Sequence, residues 1–200
     1  MKEILSVSGC GGNLGEKQMD KMVEIKWHDK NAQKMTVHDK NGVVYLTYPA
    51  LDSQEEIIHG FSTRLGGVSQ GIYTSMNLSF TRGDEEEAVK ENYRRIAEAI
   101  GFSYDSIVCS DQTHTTNVLR VGQKDCGNGI THPRPYTDVD GLITDEPGVT
   151  LATFYADCVP LYLVDPVRKA IGLSHSGWRG MQILLEWYTR SEIGGTFILI

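Results

Sequence analysis

Apolar and polar positions follow three different rhythms along the chain, and each predicts a different kind of element. The runs Lys34-Met35-Thr36-Val37-His38 and Val43-Val44-Tyr45-Leu46-Thr47-Tyr48 flank Lys40-Asn41-Gly42, which is the pattern of a β-hairpin closed by an Asn-Gly turn. Ile57 to Phe61 reads as a further strand. From Asp84 to Ile100 the rhythm changes to that of a helix, with Val89, Tyr93, Ile96 and Ile100 along one face. Asp84 is its expected N-cap, Glu87 sits at the capping-box position, and Gly101 ends it. The acidic run Asp84 to Glu87 suits a first helical turn better than a metal site. Carboxylates there favour the helix dipole, and Glu86/Lys90 and Glu91/Arg95 form i,i+4 pairs.

Beyond the helix the rhythm becomes short apolar runs separated by polar or Gly/Pro breaks. They fall at Ser106 to Cys109, Asn117 to Val121, Gly141 to Thr144, Val149 to Tyr155, Leu161 to Val164 and Ala170 to Ser174. The tight connection Asp165-Pro166-Val167-Arg168 makes the last two runs antiparallel neighbours. A second helix is expected from Trp178, carried by Met181, Leu184, Leu185 and Tyr188. The fold class is therefore α/β in the broad α+β sense, a mixed sheet core with helices packed on it, forming a single domain over residues 27–200. Residues 1–26 read as a disordered leader. Their piece Ser8-Gly9-Cys10-Gly11-Gly12-Asn13-Leu14-Gly15 fails as a dinucleotide fingerprint, because Leu14 stands where the third glycine belongs.

Composition narrows the function classes. A length of 200 residues with 40% hydrophobic content is enough for a real core, and a formal net charge of -7 opposes attraction to nucleic acid. No apolar run approaches the roughly 20 residues that cross a bilayer, so no membrane role is expected. Four cysteines without a C-x-x-C pair, and no export signal at the N-terminus, point to the reducing cytoplasm.

The chemistry concentrates where apolar runs break. Cys158 precedes one strand, His175 follows the next, and His114 sits at the exit of the run Ile107 to Cys109. A His, a Cys and a His on three neighbouring strand ends suit a tetrahedral zinc with its fourth position open to water or substrate. Each residue alone would more often be structural, a free cysteine as a small buried hydrophobe and a lone histidine as a local hydrogen-bond partner. Together, and next to Asp157, Trp178 and Arg179, they indicate a site. Two alternatives stay open. One is a structural zinc with Cys109, Cys126 or His132 as fourth ligand; the other is a Cys158 nucleophile with His114 or His175 as base. The loop Ser62-Thr63-Arg64-Leu65-Gly66-Gly67-Val68-Ser69 is either an ordinary surface loop or an anion site built on Arg64 and nearby N–H groups.

The pieces Ser62-Thr63-Arg64-x-Gly66-Gly67-Val68-Ser69, Gln112-Thr113-His114, Asp140-Gly141-Leu142-Ile143-Thr144, Ala156-Asp157-Cys158-Val159-Pro160 and His175-Ser176-Gly177-Trp178-Arg179-Gly180 resemble the laccase-domain-containing family. That family was first labelled polyphenol oxidase and later described as purine nucleoside phosphorylases, and some bacterial members are described as peptidoglycan-editing hydrolases. The resemblance covers about Gly60 to Gly180. It implies zinc held by His114, Cys158 and His175, and phosphorolysis of adenosine, inosine and methylthioadenosine together with deamination of adenosine. The partners it implies are purine nucleosides and phosphate. Arg64, Asn77 and Arg179 become the expected substrate contacts, and Asp157 and Arg64 the expected catalytic groups. Arg179 has the alternative role of pinning the helix it begins.

Family members continue beyond the Trp-Arg-Gly helix, whereas this chain ends at Phe197-Ile198-Leu199-Ile200, so a C-terminally truncated domain is expected. Copper enters only as an adventitious occupant of the same site. Six histidines with no His-x-His pair fall well short of a multicopper cluster. A non-catalytic reading also remains, a binding module stapled by zinc.

Overall fold

The computed structural model describes residues 35–156, 158–176 and 198–199. The leader and the expected Trp178 helix lie outside the described residues, as do Asp157 and Arg179. Backbone contacts divide the chain into two compact units, one ending at Gly101 and the other beginning at Phe102.

In the first unit the hairpin forms as its sequence requires. Strand β1 (Thr36–Lys40) pairs antiparallel with β2 (Val43–Thr47), with Lys40 opposite Val43 across the Asn41-Gly42 turn. β2 is the middle strand of three, so Val43, Val44, Leu46 and Thr47 are all buried and the alternation expected of a half-exposed strand is lost. A single helical turn, α1 (Pro49–Asp52), follows. The third strand, β3 (Phe61–Ser62), is shorter than expected, because pairing with β2 begins only at Phe61 opposite Leu46.

The Ser62–Ser69 loop closes on its own unit. A Cβ at Gly66 would lie 2.3 Å from the Gly42 carbonyl oxygen, and one at Gly67 would lie 2.0 Å from that of Ser75. Only glycine permits those approaches.

Helix α2 (Glu86–Ile100) buries Val89, Tyr93, Ile96 and Ala97, and Gly101 ends it at φ 105° with its N–H donating to the Ala97 carbonyl at 2.8 Å. The expected ion pairs form, Lys90–Glu86 at 2.7 Å and Arg95–Glu91 at 3.0 Å. The expected capping box does not. Glu85 occupies the N-cap without a side-chain bond, while the Asp84 carboxylate accepts from Ser69 Oγ at 2.6 Å and Asn77 Nδ2 at 2.9 Å. Two tertiary donors have outcompeted the helix terminus for that carboxylate. Burial alone would raise the Asp84 pKa, but the bonds from Asn77 and Ser69 outweigh it and hold the group below the usual carboxylate range.

The second unit contains the mixed sheet. Its strands are β4 (Ile107–Cys109), β5 (Val118–Arg120), β6 (Gly141–Thr144), β7 (Thr150–Ala152), β8 (Val159–Asp165), β9 (Ala170–Ser176) and β10 (Ile198–Leu199). Five of them make one sheet in the order β10-β8-β9-β6-β5, with β5 and β6 parallel and the other pairs antiparallel. β4 and β7 pair parallel to each other in a separate two-stranded sheet. Val108, Val121, Val139, Leu142 and Val149 form a core cluster. The β8–β9 connection is as tight as expected, since Asp165 Oδ1 accepts the N–H groups of Val167 and Arg168 at 2.9 and 3.0 Å. Among the described residues no helix is long and apolar enough to cross a membrane.

Candidate metal centre

The tight β8–β9 turn fixes where two of the three proposed ligands go. In the resulting register Pro160 faces His175 and Val159 faces Ser176, so Cys158, one residue before β8, lies at the same sheet end as His175. His175 is buried at 5% exposure, Cys158 half-buried and His114 exposed.

His114 arrives differently from the expectation. It does not end a strand next to the other two, because β4 belongs to the separate pair with β7, and His114 lies in the loop that runs on from β4 to β5. Its φ of 65° puts a non-glycine residue in the left-handed region, at a cost of about 1–3 kcal/mol. Neighbouring side chains hold the loop there. Gln112 mimics a strand partner, its Nε2 donating to the Phe154 carbonyl at 2.6 Å and its Oε1 accepting the Phe154 N–H at 2.7 Å. Thr113 Oγ1 donates to Asp138 Oδ1 at 2.7 Å. Gln-Thr-His is thus two fasteners followed by a proposed ligand.

Asp140, immediately before β6, is the residue that the sequence reading missed as part of the site. Its carboxylate is fully buried and accepts from both histidine segments. Oδ1 takes the His114 N–H at 3.0 Å and His175 Nδ1 at 2.8 Å. Oδ2 takes the N–H groups of Thr113 and Thr115 at 3.1 and 2.8 Å and the Thr115 hydroxyl at 2.9 Å. Burial pushes its pKa up, but the bonds from His175, Thr115 and Thr113 outweigh that and keep it below the usual range. The available signal was an acidic residue opening the apolar strand Gly141 to Thr144 inside a motif already singled out.

The ligand atoms of His114, Cys158 and His175 all lie within 4.8 Å of one another, with Cys158 Sγ 3.7 Å from His114 Nε2. The two imidazoles meet edge to face at 4.8 Å between centroids. Zinc–ligand bonds of about 2.0–2.3 Å imply tetrahedral edges of roughly 3.3–3.8 Å, so the trio needs only a small contraction to close on an ion. With Nδ1 bonded to Asp140, His175 presents Nε2 as its donor. The residues fit a metal ion, and one thiolate with two imidazoles favours zinc or copper over magnesium or calcium. A set of three, the group found among the described residues, would leave a fourth position for water or substrate, as catalytic rather than structural sites do. Cys109, Cys126 and His132 are not part of the group among the described residues.

Of the proposed substrate contacts, Arg64 and Asn77 belong to the first unit. Arg64 is exposed, and its guanidinium donates to the carbonyls of Thr74 and Ile72. Asn77 is 9% exposed; besides Asp84, its Nδ2 donates to the Ser79 carbonyl and its Oδ1 accepts the Ser79 N–H.

Residues 58–185 match the family model described as multi-copper polyphenol oxidoreductase laccase. The chain is 38% identical over 150 residues to the purine nucleoside phosphorylase YlmD of Geobacillus stearothermophilus, a match covering 72% of this chain and 55% of that protein. It is 37% identical to the mouse (Mus musculus) purine nucleoside phosphorylase LACC1 over 70% of this chain and 31% of the relative. The crystal structure of the Geobacillus YlmD superposes with a TM-score of 0.65 at 36% identity, covering 78% of this chain and 59% of that one. Bacillus licheniformis YfiH, a hypothetical protein, superposes with a TM-score of 0.66 at 29% identity and the same coverage. The chain spans about half the length of the bacterial relatives it matches.

Proposed function

The chain belongs to the multi-copper polyphenol oxidoreductase laccase family, and from that premise we propose that it is a zinc-dependent purine nucleoside phosphorylase acting on adenosine, inosine and methylthioadenosine, with adenosine deamination as a second activity. The observation that carries this reading is the convergence of His114, Cys158 and His175 on one point, in a chain whose relatives are named as purine nucleoside phosphorylases. The oxidase label of the family has less behind it. His38 is bonded to Thr47 and stacked on Tyr45, His59 accepts the Tyr48 N–H, and His132 contacts Thr131, so none of these joins the His–Cys–His group. Copper in the group would be an adventitious occupant.

In phosphorolysis a phosphate oxygen bonds to C1′ of the ribose, the C1′–N9 bond breaks, and its electron pair leaves with the purine, which must gain a proton. Asp157, next to Cys158 in the sequence, is the proposed carrier of that proton. Arg64, an exposed cation on the Ser62–Ser69 loop, is the proposed phosphate contact, with Asn77 and Arg179 as further substrate contacts. A zinc ion held by the trio would supply Lewis acidity. The proposed substrates are small molecules, and Cys109, Cys126 and Cys158, in no disulfide among the described residues, suit the proposed reducing cytoplasm.

Product analysis with adenosine, with and without phosphate, tests the reading. Phosphate-dependent release of adenine and ribose 1-phosphate is expected, with phosphate-independent inosine as the sign of deamination. Neither product, together with alkylation of Cys158 in active protein and cleavage of a muropeptide, would replace the reading with a Cys/His amide hydrolase.

A further inference from the structure

We propose that Asp140 is the positioning residue of the metal centre, a single buried carboxylate that sets both histidines in their ligating poses before any ion arrives. The proposal rests on the metal reading above and extends it to a residue with no ligating role.

The geometry makes two separate demands on Asp140, and one oxygen meets both. Oδ1 accepts from His175 Nδ1 at 2.8 Å, which places the ring proton on Nδ1 and leaves the Nε2 lone pair toward Cys158 and His114. The same oxygen accepts the His114 backbone N–H at 3.0 Å. Oδ2 gathers the N–H groups on either side, from Thr113 and Thr115. Three consecutive amides pointing at one carboxylate give the turn that holds His114 at φ 65°. An unsupported loop would relax out of that conformation.

The backbone of Asp140 is equally fixed. Its carbonyl accepts the His175 N–H at 2.8 Å, and its N–H donates to the Asn117 carbonyl at 3.1 Å. The carboxylate therefore stands on a frame shared by β9 and the His114 loop, with no water exposure to weaken its bonds. Hydrogen-bonded carboxylates behind metal-binding histidines commonly account for a 10–100-fold difference in metal affinity.

The test uses the full chain with Zn2+ and Co2+ as probes. In Asp140→Asn the amide NH2 would face the N–H groups of Thr113 and Thr115, donor against donor. Zinc affinity, measured by competition with a chromophoric chelator, is expected to fall by about 10–100-fold. The Co2+ absorption bands are expected to weaken or shift, a change that loss of stability alone would not produce in the protein that remains folded. In the unsubstituted metal-free chain, long-range 1H–15N spectra are expected to show His175 as the Nδ1–H tautomer, a readout that does not depend on the variant folding. Native zinc affinity and an unchanged Co2+ spectrum in Asp140→Asn would overturn the proposal, as would an Nε2–H tautomer at His175. A native chain that binds neither ion would overturn the metal reading and this proposal with it.

Discussion

Cys158→Ala and His175→Ala are each expected to purify with little zinc, where the native chain is expected to carry about one ion. Loss of a carboxylate behind a ligand costs 10–100-fold in affinity, so loss of a direct ligand from a set of three should exceed a hundredfold. The two variants should differ in stability. Cys158 is half-buried at a strand entrance, so its truncation should leave the metal-free melting temperature nearly unchanged. His175 is buried, and its removal also takes one of the five donors from the fully buried Asp140 carboxylate. His175→Ala should therefore melt lower than Cys158→Ala even without metal. Zinc bound at native stoichiometry in both variants would show that the trio is not the ligand set.

Leu142→Ala should have the largest effect on folding of any substitution that leaves the ligands in place. Leu142 is fully buried in β6, between β5 and β9, and packs in the cluster with Val108, Val121, Val139 and Val149. Removing three carbons from such a position costs about 2–5 kcal/mol, transfer and cavity together. For a chain of this size that corresponds to a fall in melting temperature of about 10 °C. Thermal or urea unfolding followed by circular dichroism reads it directly. A loss below about 1 kcal/mol would mean that the site collapses around the cavity or that the cluster contributes little.

What the sequence disclosed about the fold was whatever local chemistry decides. The Asn41-Gly42 hairpin, the end of α2 at Gly101 and the β8–β9 turn at Asp165-Pro166 each depend on residues a few positions apart, and each formed as expected. Cys158 and His175 met at one sheet end because that last turn set their register. What escaped was decided by partners far along the chain. The capping box at Asp84 lost to Asn77 and Ser69, which lie upstream of the helix and outside its own periodic pattern. His114 reached the other two proposed ligands through a loop, not a strand end, because Asp140, beyond β5, collects the amides around it. An aspartate before a strand has no local signature that separates a solvent-facing turn from a buried hub. The family resemblance supplied the motif that contains Asp140, and the structure supplied its five donors.

The metal reading is tested most directly by X-ray absorption at the zinc edge on the purified native chain. Ligation by His114, Cys158 and His175 predicts one sulfur at about 2.3 Å and nitrogen or oxygen neighbours at about 2.0–2.1 Å. A first shell without sulfur, or one with three or four sulfurs, would contradict it.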